Sequence, residues 1–181
     1  MSTALVPRPV RSHHLEATAT FFAAAVLLHN LDHLRRGSEA VRVDVFAAGS
    51  VAILIEFGVV WLVFARHATA PVAAMVFGLQ LALGYVVVHF TPGRGWFSDS
   101  FLDGAPGVTG LSWTAASLET IAAALLAVAG WRTMRERGGL VAAASDSGSE
   151  HPGFAAAARH PVVATMAVVN GAIILLSLRG S

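Results

Sequence analysis

The chain has no cysteine, no lysine and a single tyrosine, Tyr85. The first absence excludes disulfides, thiolate metal sites and cysteine nucleophiles, so any metal ion here must be held by imidazole or oxygen donors. The second leaves all twelve basic side chains as arginine. Together with the abundance of alanine and valine, this reads as GC-rich coding bias rather than function. Charge is scarce: 13% of the 181 residues are charged and 55% are hydrophobic, with a mean hydropathy of +0.66. A soluble domain carries about 25% charged residues. The net charge is +1, with the arginines spread through the connecting segments. That distribution gives no basic stripe for nucleic acid.

What is present is apolar length. Five runs, at about 16–35, 44–65, 70–90, 111–131 and 160–178, approach or exceed the roughly 20 residues a helix needs to cross a hydrocarbon core. The expected class is an all-α, polytopic membrane protein whose principal partner is the lipid bilayer. An antiparallel four-helix transmembrane bundle (1–137) carries an extracytoplasmic loop (91–110). A Gly-, Ala-, Ser- and charge-rich flexible linker (138–159) then leads to a fifth transmembrane helix (160–181). The first run ends in "HNLDHLRRG" rather than in a small-residue cleavage site, so it reads as a retained helix and not as a signal peptide. An N-terminus on the cytoplasmic side of the plasma (inner) membrane puts Arg8, Arg11, Arg66, Arg132, Arg135, Arg137 and Arg159 inside. Arg35, Arg36, Arg42, Arg94 and Arg179 then fall outside, a modest positive-inside excess. Composition leaves open whether the chain works alone, as a homo-oligomer or within a larger membrane complex.

The connections are punctuated by known breakers. Gly37 and Ser38 stop the first helix, Pro71 suits the first turn of the third, and Thr91, Pro92 and Gly93 end it. The loop "TPGRGWFSDSFLDGAPGVTG" carries Trp96, Phe97 and Phe101, which a solvated linker does not need. It is expected to fold back over the mouth of the bundle or to lie in the membrane interface. Asp99 and Asp103 within it read by default as solvated acids.

The polar residues inside the apolar runs bear on function. His29, Asp32 and His33 occupy one side of the first helix over about one turn. Alternation of the helices brings His89, at the end of the third run, and Glu119, near the start of the fourth, to the same membrane face. Glu56 lies deeper, near the middle of the second run. An ionisable group at such depth costs several kcal/mol unless paired or hydrated, which makes each a functional candidate. Neutral imidazole with carboxylate is the donor set of Zn(II), Fe(II) or Cu(II), and inward-facing His and Glu on a helical bundle are a known way to hold such ions. The expected ligands are therefore His29, Asp32, His33, His89 and Glu119, with Glu56 as proton carrier or further ligand. Against this stand ordinary roles: Asp32 pairing with Arg35 or Arg36, His89 capping carbonyls, and Glu119 as a hydrogen-bonded neutral acid. Tyr85, four residues before His89, is placed to orient that imidazole or simply to pack.

"HNLDH" has the two-histidine spacing of zinc peptidases, but Asn30 stands where their general-base glutamate belongs, which argues against peptidase chemistry. Membrane desaturases need about eight converging histidines, and only three here share a side. No named family's motifs run the length of the chain. Three functions remain open. One is a metal-binding membrane protein, an oxidoreductase or metal-handling factor. Another is a haem b protein with His29 or His33 and His89 as axial ligands. The last is a non-catalytic accessory subunit or small proton-coupled carrier working through Glu56 and Glu119.

Overall fold

A computed structural model describes residues 12–93, 98–137, 161–166 and 168. Among these the chain is helical and has no strand. The helices are α1 (His13–Arg36), α2 (Val43–Phe64), α3 (Ala70–Phe90) and α4 (Gly110–Glu136), with a single 3-10 turn, Ser38–Ala40, between the first two. Each boundary falls within a few residues of an apolar run in the sequence. Helices α2, α3 and α4 are long and apolar enough to cross a membrane. Helix α1 is not in that group, because the His29–His33 stretch interrupts its apolar run. Residues 161–166 and 168, at the start of the expected fifth helix, are helical, and Val163 and Met166 are buried in the common core. The rest of that segment, and the 138–159 linker, lie outside the described residues.

Local chemistry sets the helix ends. Ser12 caps α1 by accepting the Leu15 N–H at 3.4 Å. At its other end Gly37, with φ of 87°, donates its N–H to the carbonyls of His33 and Leu34. A side chain at that φ is strained, so glycine belongs there. Pro71 occupies the first turn of α3, where its missing N–H costs no helix bond. At the start of α4, Ser112 Oγ accepts the Thr109 N–H at 3.1 Å.

The helices pack as a ring in which α1 touches α2 and α4, and α3 touches the same two. The start of α1 meets the end of α4 through Ser12 Oγ and Thr133 Oγ1 at 2.9 Å, while Arg35 near the end of α1 reaches Ser112 at the start of α4. The two therefore run antiparallel. The closest contact is between α3 and α4 and depends on small residues. A Cβ on Gly78 would stand 2.8 Å from the Ala123 carbonyl oxygen, and one on Gly130 would stand 2.7 Å from the Met75 amide nitrogen. Backbones approach this closely only over glycine and alanine, the usual packing of helices in membranes. Phe22, Val26, Val60, Ala74, Ala122, Ala123 and Leu126 fill the core between them.

Candidate metal centre

The polar groups gather where the end of α1, the end of α3 and the start of α4 come together. His29 and His33, four residues apart, stack with ring centroids 4.6 Å apart and planes inclined by 25°. His89 of α3 comes edge-on to His29 at 4.8 Å between centroids and lies 5.9 Å from His33. One ring nitrogen from each of these three histidines lies within 4.8 Å of the others. His29 and His89 are buried and His33 is half-buried, so the cluster is closed off except on the His33 side.

The Nδ1 atoms of His29 and His89 are held. His29 Nδ1 contacts Glu119 Oε2 on α4, and His89 Nδ1 donates to the backbone carbonyl of Asp99 at 3.3 Å. Holding Nδ1–H in this way fixes the tautomer and leaves the Nε2 lone pair free. Consistently, His29 Nε2 is buried without a hydrogen-bond partner among the described residues, as is His33 Nδ1. Unsatisfied buried polar atoms are rare in proteins, and two of those among the described residues, His29 Nε2 and His33 Nδ1, belong to neighbouring imidazoles of one cluster.

Two of the five ligand candidates stand just outside the trio. Glu119 is 2% exposed and engaged with His29. Asp32 Oδ1 accepts from Arg35 Nε at 2.9 Å, while its other oxygen is buried and has no hydrogen-bond partner among the described residues. Glu56 on α2 is also buried, and Tyr85 of α3 donates its hydroxyl to Glu56 Oε1. The same phenol interacts with Glu119, and its ring meets His29 edge-on at 6.2 Å. Glu56 with Tyr85 and Glu119 with His29 thus form two neighbouring polar pairs among otherwise apolar helices.

The 98–109 connection closes this end. Phe101 is buried, 4.8 Å from the His89 ring and 5.4 Å from Trp113. Trp96, expected to join it, lies outside the described residues. Asp99 is not the solvated acid its loop setting suggests: it is 5% exposed and paired with Arg36. Sequence reading missed Asp99 and Arg36 as parts of the site, and the available signal was the aromatic density around Asp99. Elsewhere, His67 bonds to Thr69 beyond the far end of α2, away from the cluster.

An ion in tetrahedral coordination at about 2.0–2.1 Å from each nitrogen needs its ligand atoms roughly 3.3 Å apart. The nitrogens of the trio lie within 4.8 Å of one another, and imidazoles with a held Nδ1, as in His29 and His89, are chemically suited to such an ion. Comparisons of the chain with known protein families, curated proteins and solved structures find no match.

Proposed function

We propose that this chain is a small integral membrane protein that holds one transition-metal ion on His29, His33 and His89 near the outer membrane face, and acts as an oxidoreductase or metal-handling factor. In this reading α1 to α4 cross the bilayer together, followed by the fifth helix. The observation that carries the proposal is the convergence of three imidazoles from two helices, with His29 Nε2 and His33 Nδ1 buried and without hydrogen-bond partners among the described residues, and with the Nδ1 atoms of His29 and His89 held by Glu119 and Asp99. A bound Zn, Fe or Cu ion would supply Lewis-acid or one-electron chemistry at that point. Glu119 orients His29 and balances charge beside it. Tyr85 donates to Glu56, and Glu56 is the group able to hold or pass a proton.

Ring spacing favours this reading over haem. Two imidazoles in trans on one iron require centroids about 6 Å apart, from metal–nitrogen distances near 2 Å. His29 and His89 are too close for that at 4.8 Å and edge-on; His33 and His89 meet the spacing at 5.9 Å, but the His29 ring, 4.6 Å from one and 4.8 Å from the other, fills the space between them that the macrocycle needs. The test is elemental analysis and visible absorbance of protein purified without a histidine tag or chelator. The expected result is one equivalent of metal that falls below a tenth in His29→Ala and His89→Ala, with no haem Soret band. A metal-free wild type that stays metal-free after incubation with Zn(II), Cu(I) and Fe(II) would refute it.

A further inference from the structure

We propose that Arg36 is a positioning residue for the metal centre, acting on His89 through Asp99. The inference rests on the three-imidazole reading and extends it to a side chain that touches none of the three rings.

Arg36 lies three residues beyond His33, so α1 supplies two of the imidazoles and this guanidinium from consecutive turns. Its side chain is closed to solvent. Nη1 and Nη2 donate to Asp99 Oδ2 and Oδ1 at 2.6 and 2.7 Å, and Nε donates to the Pro106 carbonyl at 3.0 Å. The guanidinium carbon lies 5.7 Å from the Phe101 ring centroid. Both faces of the interaction are thus used, the fork on a carboxylate and the plane near an aromatic ring, a geometry lysine does not reproduce. Asp99 is gripped from behind as well: its N–H donates to the Val88 carbonyl at 3.1 Å, and the Phe101 N–H donates to the His89 carbonyl at 3.0 Å. What Asp99 presents inward is its own carbonyl, at 3.3 Å from His89 Nδ1, with Oδ2 at 3.5 Å from the same atom. The fork therefore sets where the acceptor for His89 Nδ1–H stands, and with it the direction of the His89 Nε2 lone pair.

A buried ion pair is a poor way to gain stability, because desolvation offsets most of its attraction and apolar packing does as well. Its benefit is a fixed position, which a second-coordination-sphere acceptor needs. Arg35, the preceding residue, provides the contrast. It reaches the same connection but binds the Gly107 carbonyl, Thr109 and Ser112, and its side chain is 40% exposed. It ties the loop to α4, pairs with Asp32 and makes no hydrogen bond to Asp99 or His89 among the described residues.

The experiment uses the full chain in detergent, titrated with Co(II) in competition with a chelator. Affinity and the visible ligand-field spectrum are read for wild type, Arg36→Met, Arg36→Lys, Asp99→Asn and Arg66→Met, and for Arg36→Met combined with His89→Ala. Arg36→Met is expected to weaken Co(II) binding by about 10–100-fold and to change the spectrum. Arg36→Lys is expected to rescue binding in part, and Arg66→Met, which breaks the pair with Glu16 at the other end of α1, to leave affinity and spectrum near wild type. In the His89→Ala background Arg36→Met should add less than about twofold, since its effect is routed through that ring. Should Arg36→Met fail to fold, Arg36→Lys and Asp99→Asn carry the same comparison. Wild-type affinity and spectrum in the Arg36 and Asp99 variants, or an equal loss with and without His89, would overturn the positioning role and leave the three-imidazole site standing. No Co(II) binding by wild type would remove both.

Discussion

Glu119 is the side chain whose replacement separates support of a ligand from ligation itself. It is 2% exposed, engages His29 Nδ1 and interacts with Tyr85. In Glu119→Leu the His29 Nδ1–H loses its acceptor inside a buried site, which costs about 1–3 kcal/mol. The same change replaces a buried acid with apolar volume, which offsets part of that cost. Thermal stability should therefore move little, while the imidazole, freed to turn, loses metal affinity by about 10–100-fold. Glu119→Gln keeps an amide oxygen for the Nδ1–H bond and should lose less than about tenfold. The assay is competition titration with a chromophoric chelator, beside a melting curve in the same detergent. The predicted order is wild type, then Gln, then Leu. Equal and complete loss in both variants would mean that the carboxylate is itself a ligand, and wild-type affinity in the Leu variant would remove Glu119 from the site.

Gly78→Ala should destabilise by about 1–3 kcal/mol through overpacking against the Ala123 carbonyl. Gly84→Ala, with open space around its Cβ position, should stabilise by up to about 1 kcal/mol; thermal melts of the two variants check the sign of each. Glu56→Gln should leave the fold and metal content near wild type, since the amide still accepts from Tyr85, while abolishing any proton-coupled turnover. Glu56→Leu should lower the Tm as well, because the phenol then has lost a buried acceptor, and full turnover in the Gln variant would make Glu56 a packing group. Phe101→Ala should cost roughly 3 kcal/mol or more and speed proteolytic cutting in the 98–109 connection, which unchanged digestion would contradict.

The helices were legible because their cause is one-dimensional. An apolar run long enough to span a bilayer, bounded by Gly37, Pro71 or Pro92, leaves the chain few options. The same arithmetic identified His29, His33 and His89: a four-residue spacing fixes two rings on one face, and alternation fixes which ends meet. It could not separate a first ligand from its support. Whether Glu119 faces the trio or the back of His29 depends on a helix rotation that sequence spacing does not determine. Asp32 shows the same limit, since Arg35 at i+3 competes for it and takes one oxygen. Asp99 was illegible for another reason: loop residues carry no periodicity, and its burial arises from a fork supplied 63 positions earlier by Arg36. Tyr85 was placed on the correct face by its spacing from His89, yet its bond to Glu56 crosses from α3 to α2 and follows from packing alone.

The central claim is that three imidazoles bind one metal ion, and X-ray absorption at the metal edge tests it most directly on tag-free protein loaded with one equivalent of zinc. The account predicts a first shell with three nitrogen scatterers at about 2.0–2.1 Å, the outer-shell pattern of imidazole rings, and loss of one ring from that pattern in His89→Ala. A shell of oxygen scatterers without imidazole features, unchanged by His89→Ala, would contradict it.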